Sequence, residues 1–276
     1  MIYQCYFRPS QSKEFFNSHA YQPFGLEPNV NDRLLEGCPE LETPKNRIQL
    51  LDMAAMLWWY RHLDETPDEW IGFTSWRQYT KTRTYFKSKE VVESLLSSHD
   101  VLSWGYHIFN QSLADRSERS HPGINVFMKA LFEIVGEEIP DDYYKRTDGP
   151  LVDYWAMSKE NFVEFMEYML PFQEYCLNNL DRYWYLQNHP KSSAYVLERL
   201  FPIWVMKKGM HVRVIDPVVP NKFNIKFQSI YYSTDPRSTK FLTSPDVDYL
   251  EHTNHNDEFA GQLYTHSNAS ERMVAG

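Results

Sequence analysis

Three segments in a fixed order constrain the fold of this chain more than any other feature. Residues 2–7 (IYQCYF) form a short β-type run, closed by Arg8-Pro9-Ser10. Asn46 can cap a helix through RIQLLDMAAMLWWYRHL, where Ile48, Leu51, Ala55, Trp58 and Trp59 recur at helical spacing. Residues 64–69 then turn the chain into WIGF at residues 70–73, apolar and β-leaning. Strand, helix and strand in this order predict parallel strands joined by a right-handed crossover. In such a sheet, ligands gather at the carboxyl ends of the strands.

The rest of the chain fits the same class. Residues 8–45 read as a polar connection containing Pro and Gly, residues 91–97 as a short helix, and DVLSWGYHI at 100–108 as a further strand. LVDYWAM (151–157) reads as another strand, after which Ser158 is placed to cap a helix beginning at Lys159. That helix carries Phe162, Phe165, Met166 and Met169 on one face, and Pro171 is expected to break or kink it before helix resumes over 172–186. Ser192 or Ser193 can cap a third helix, AYVLERLFPIWVMKK, with Gly209 as its stop, and HVRVID alternates as a strand. From Pro217 the chain turns polar and rich in Ser, Thr, Asn and Pro. The expectation is one α/β domain over residues 1–216, with a less regular extension over 217–276 packing on or near the active site.

Composition narrows the function. A net charge of −9 argues against a general nucleic-acid or anionic-membrane binder, while leaving room for a local basic patch. Cys5, Cys38 and Cys176 show no CxxC spacing, which fits a reducing compartment better than a zinc site or a disulfide framework. No apolar run approaches the roughly 18 residues of a membrane span, so the expected location is cytoplasmic and the sequons at Asn110 and Asn268 carry no weight. Walker A, GxGxxG and GxSxG motifs are absent. Asp246-Val247-Asp248 is the one D-x-D string, but it lies in the polar tail with His252, His255 and His266, whose spacing matches no ligand pattern.

The WIGF strand ends abruptly in Ser75-Trp76-Arg77. Between Glu69 and Glu90 acids vanish, while Arg77, Lys81, Arg83, Lys87 and Lys89 accumulate. A planar guanidinium directly after a buried strand can grip two phosphate oxygens. A solvated basic loop is the competing explanation.

LDMAAMLWWYRHLDETPDEWIGFTSWRQY resembles a motif of a capsular-polysaccharide-type glycosyltransferase family of bacteria and large viruses. In that family a helix of the form acid-x-small-x-x-aromatic-aromatic precedes a strand ending in IG-x-x-HYRR. Asp52 takes the acid position, Ser75-Trp76-Arg77 stands for His-Tyr-Arg, and Gln78 replaces the second Arg. Downstream, LVDYWAMSKENFVEFMEYMLPF resembles the family's N-x-F-x-M-x-K-x-x-F strand–helix, and SSAYVLERLFPIWV its ERL helix. The shared order spans residues 48–205.

The resemblance implies a GT-A-like fold, a mixed and mainly parallel Rossmann-type sheet flanked by helices. It also implies transfer from a nucleotide-diphosphate sugar, with UDP favoured, to a glycan acceptor in polysaccharide biosynthesis. Such enzymes usually end this strand in Asp-x-Asp, which holds Mn or Mg against the diphosphate. Ser75-Trp76-Arg77 has no carboxylate for that purpose, so Arg77 would offset the charge instead. On the donor side the resemblance adds Ser75, Trp76, Lys81, Asp52 (toward uracil or Arg77), and Tyr6, Phe7 and Arg8 after the first strand. For the base of an inverting transfer, Glu198 in the ERL helix competes with Asp153 in LVDYW. Trp155 and Tyr195 are the aromatic candidates for the acceptor. The rival from another class is a non-catalytic glycan- or nucleotide-binding module on the same fold.

Overall fold

The computed structural model describes residues 1–82, 84–215 and 247–249. In chain order the strands are β1 (Ile2–Tyr6), β2 (Tyr21–Gly25), β3 (Trp70–Ser75), β4 (Val101–Ser103), β5 (Tyr106–Ile108), β6 (Asp148–Pro150), β7 (Trp155–Ser158), β8 (Val212–Val214) and β9 (Val247–Tyr249). The helices are α1 (Pro44–Leu50), α2 (Met53–Arg61), α3 (Gln78–Lys81), α4 (Lys89–Leu96), α5 (Leu113–Ser120), α6 (Ile124–Val135), α7 (Asp141–Lys145), α8 (Lys159–Asn178), α9 (Trp184–Asn188) and α10 (Ser192–Lys208).

β1 and β3 pair in parallel, as their order predicts, with Ile2 opposite Gly72 and Cys5 opposite Ser75. The polar stretch after residue 8 hides a strand, β2, which runs parallel along the other side of β1. The main sheet has the order β2-β1-β3-β7-β4-β8-β9. Every neighbouring pair is parallel except those of β7, which runs antiparallel to both β3 and β4. The sheet is therefore mixed, mainly parallel and flanked by helices, the class expected from the sequence. Because β7 runs the other way, it begins beside the end of β3, with Trp155 opposite Phe73. The turn that enters it, residues 151–154, is delivered to the edge where β1, β3 and β4 finish.

Side chains alternate across this sheet. Ile71, Phe73, Val101, Trp155 and Met157 join the larger core with α2, α8 and α10, while Trp70, Leu102 and Ala156 join a smaller one with Val92 and Leu95 of α4. Gly72 is required by closeness: a Cβ there would lie 2.8 Å from the Trp155 carbonyl oxygen and 2.9 Å from the Ala156 Cβ. Ser158 caps α8 as predicted, its Oγ accepting the Asn161 N–H at 3.1 Å. α8 runs on through Pro171 to Asn178. A helix-interior proline costs about 3 kcal/mol, but each large apolar side chain buried is worth about 1.5–3 kcal/mol. Phe162, Phe165, Met166 and Met169 are all fully buried, which outweighs that loss.

Other departures from the sequence pattern bear on the site. The helix expected from Asn46 onward is two helices. Thr43 caps the first, its side chain accepting the Asn46 N–H, and the chain breaks at Leu51, whose φ of 52° and ψ of −125° are costly for a residue with a Cβ. Ile48 is consequently 44% exposed, while Met53 through Trp59 are buried. DVLSWGYHI divides at Trp104-Gly105 into β4 and β5, and LVDYWAM becomes strand only at Trp155. The helix expected over 172–186 ends at Asn178 and restarts as α9. Ser192 and Ser193 lie inside α10, where the Ser192 hydroxyl donates to Gln49 Oε1 at 3.1 Å and ties α10 to α1. Gly209 ends α10 in the left-handed conformation, as expected.

In the tail, Val247 and Asp248 lie on the short strand β9 beside β8 rather than in a loop. Arg83, Asp246, His252, His255, His266 and the sequon at Asn268 lie outside the described residues. Among the described residues no helix is long and apolar enough to cross a membrane.

Candidate active site

The carboxyl ends of β1 and β3 leave the sheet side by side, joined by a hydrogen bond from the Trp76 N–H to the Cys5 carbonyl at 2.8 Å. On the β1 side, Tyr6 and Phe7 are half-buried and Arg8 is exposed. The Tyr6 hydroxyl donates to the Val30 carbonyl at 3.3 Å, and Gln11 Oε1 accepts the N–H groups of both Phe7 and Arg8, which fixes this turn.

On the β3 side, Ser75 is buried. Its Oγ shares a 2.6 Å hydrogen bond with the Tyr154 hydroxyl and accepts the Arg77 N–H at 3.2 Å. The Ser75 hydroxyl thus ties the strand end to Tyr154 and to the Arg77 backbone. Trp76 is half-buried, and the exposed Arg77 guanidinium lies 5.6 Å from its ring centre. Lys81, on the one-turn helix α3, is also exposed and holds its ammonium 5.3 Å from the centre of the Tyr154 ring.

Against these cations stand three carboxylates brought from distant parts of the chain. Asp153 sits in the turn entering β7, only 6% exposed, and its Oδ1 has no hydrogen-bond partner. Burial pushes its carboxyl well above the usual range; Glu198 and Asp52 push the same way, and Lys81 opposes them. Asp52 lies just after the strained Leu51, at the break between α1 and α2. Burial raises its carboxyl to about 7, with Lys81 and Lys191 pulling it down and Glu198 pushing it up. Glu198 is on α10, its side chain 21% exposed, and its Oε2 accepts Arg199 Nη1 at 2.5 Å. Arg199 is the next residue on α10. It is buried, and its Nε donates to Ser117 Oγ at 3.0 Å, so Glu198 is held from beneath. Burial first, and like charge second, therefore make Asp52 and Asp153 hold their protons above the usual carboxylate range.

This arrangement costs stability, and the sign is testable. An unfolded Asp loses its proton near 3.9, whereas folded Asp52 keeps it to about 7. The folded state binds the extra proton between these values, so stability present below about pH 4 is lost as pH rises through 7. Asp52→Asn has no such proton to lose. Its melting temperature should match wild type at pH 4 and exceed it at pH 8 by a few degrees, corresponding to ~1–2 kcal/mol after discounting for solvent at this half-buried site. A variant equally or less stable at pH 8 would remove Asp52 from the strained cluster.

The two acceptor candidates separate. Trp155 is fully enclosed and stacks on Phe201 with ring centres 4.9 Å apart. It offers no face to a ligand, and its place as an acceptor platform is corrected to a core role: on β7, alternation turns it toward the larger core. Tyr195 is half-buried, one helical turn from Glu198, and stacks on His121 at 3.7 Å.

Tyr154, Arg199 and Lys191 were not singled out in the sequence. Arg199 carried a signal, a charge among Leu197, Leu200 and Phe201 on an apolar helix. Tyr154 and Lys191 carried none, since only the topology brings them to the strand end. Among the described residues no group of three or more His, Cys, Asp or Glu side chains is arranged to hold a metal ion.

No protein-family model matches the chain, and no curated protein matches it either. Among solved structures the chain is similar to the apo structure of WbbM, a bifunctional glycosyltransferase, with a TM-score of 0.50 and 15% sequence identity. The match covers 80% of this chain and 45% of that one, so the chain spans less than half of that structure's length. At this identity the likeness is one of fold: the chain has a glycosyltransferase-type fold.

Proposed function

We propose that this chain transfers a sugar from a nucleoside-diphosphate sugar, with UDP as the nucleotide, to a hydroxyl of a glycan acceptor, inverting the anomeric carbon. The observation that carries this is the meeting of opposite charges at one strand end: Arg77 over Trp76 and Lys81 over Tyr154, with Asp52, Asp153 and Glu198 against them. The likeness in fold to a glycosyltransferase supports it.

In this reaction the acceptor oxygen attacks the anomeric carbon and its proton passes to a carboxylate. The bond from that carbon to the diphosphate breaks, and the electron pair leaves with the diphosphate. Arg77 and Lys81 offset the charge that develops there. Tyr6, Phe7, Arg8 and Trp76 border the nucleoside, with Asp52 orienting Lys81 or the base. Glu198 is the proton acceptor, because its carboxylate reaches the surface on the Tyr195 side while Asp153 stays enclosed. The strand end presents a hydroxyl, an indole and a guanidinium where an Asp-x-Asp would hold Mn or Mg. These groups do not fit a hard divalent cation, and no step here runs through one. The expected setting is polysaccharide synthesis in the cytoplasm.

UDP should raise the melting temperature, since a ligand that binds only the folded state stabilises it by about 2.7 kcal/mol at a hundredfold excess over Kd. If neither UDP nor any other nucleoside diphosphate or nucleotide sugar shifts the melting curve, the donor site is lost. A shift without any donor turnover would instead favour a binding module.

A further inference from the structure

Outward from Glu198 the surface carries a line of aromatic rings. Tyr195 lies one turn before Glu198 on α10 and stacks face to face with His121, ring centres 3.7 Å apart and planes 19° from parallel. Two residues beyond His121, Gly123 adopts a φ of +89°. A Cβ on Gly123 would stand 3.1 Å from Cζ3 of Trp184, so this glycine lets the indole lie close against the backbone. The edge of His189 meets the same indole, with ring centres 6.1 Å apart. Trp184 nevertheless remains 63% exposed.

An indole fixed on one side and bare on the other is unusual for a surface that only has to meet water. Flat aromatic faces suit the C–H faces of pyranose rings, and a side chain already held in place loses little freedom when a ligand covers it. The line begins at the carboxylate assigned to accept the acceptor's proton. Two separate platforms, Tyr195 with His121 and then Trp184, suit a chain of at least two sugar rings.

We infer that the acceptor is an oligosaccharide lying along this strip, with its reactive end over Tyr195 and His121 near Glu198 and a preceding sugar on Trp184. This rests on the transferase reading above, deepening it by assigning the acceptor subsite and the minimum acceptor length. Trp184 and His121 are then binding residues, and Gly123 positions Trp184.

The test uses the full chain on a printed array of defined oligosaccharides, comparing wild type, Trp184→Ala, Trp184→Phe and Tyr144→Ala. Tyr144, 45% exposed on α7 with its ring against Tyr143, is the control for an exposed aromatic that makes no ring contact with the strip. Wild type should retain oligosaccharides and not single sugars. Trp184→Ala should weaken that retention about tenfold, Trp184→Phe should restore most of it, and Tyr144→Ala should match wild type. UDP binding by calorimetry, measured on the same samples, reports on the donor reading separately. Retention that depends on Trp184 without UDP binding would keep the strip and overturn the transferase. UDP binding with no oligosaccharide retained, or with retention indifferent to Trp184, would overturn the strip. So would self-association that disappears in Trp184→Ala by sedimentation, which would make this face a contact between copies of the chain.

Discussion

Glu198→Gln should leave UDP affinity close to wild type and lower sugar transfer by about 10²–10⁴-fold, the usual contribution of a general base. Glutamine keeps the size of the side chain and can still meet Arg199 through its carbonyl oxygen, so the buried Arg199–Ser117 contact survives the change. What it cannot do is accept the acceptor's proton. Asp153→Asn is the comparison that decides between the two carboxylates. Asp153 has the unpartnered oxygen and the greater burial, whereas Glu198 has the access. If folded Glu198→Gln turns over normally while Asp153→Asn is dead, the base is Asp153. Full activity in both would point to a retaining mechanism, which needs no such base. A fall in transfer that only tracks a fall in melting temperature would make Glu198 a structural carboxylate.

The second large effect concerns the donor. Arg77→Ala should weaken UDP binding by about 10–100-fold, equivalent to the 1.5–3 kcal/mol of a charge-assisted contact. Lys81, the other donor-side cation, stands on the one-turn helix α3. It lies over Tyr154 and is the strongest cationic influence on Asp52, so Lys81→Ala should also cost affinity. Lys129, exposed on α6, is the appropriate control, and its loss should change binding by less than about twofold. Calorimetry giving the same small change for all three substitutions would reduce Arg77 to a solvated charge.

The sheet could be read from the chain because its strands are short apolar runs closed by turn residues, and β1 and β3 flank a clear helical pattern. β2 was missed because its inward positions, Tyr21, Phe24 and Gly25, are interrupted by exposed Gln22 and Pro23 in a polar region. Helical spacing carried the reading across Leu51, since periodicity sees side-chain order and not a backbone dihedral. That break is what sets Asp52 beside Lys81. The site was legible where it follows the strand ends, at Arg77, Asp153 and the ERL helix. It was illegible where burial decides: nothing local distinguishes Trp155, enclosed, from Trp184, exposed, although both stand among aromatic and polar neighbours.

The reversed strand β7 also has a consequence for how the chain is made. β3 has β1 on one side as soon as residue 75 is synthesised, but its other neighbour begins at residue 155. Until that segment leaves the ribosome, β3 presents a bare hydrogen-bonding edge flanked by Ile71 and Phe73, a template on which a second nascent chain can add a strand. Closing that edge and delivering Asp153 are one event, because the turn that carries the carboxylate leads directly into the strand that covers β3. A ribosome-bound fragment stalled between residues 80 and 150 therefore lacks the turn that carries Asp153 and is prone to aggregate through the open edge of β3.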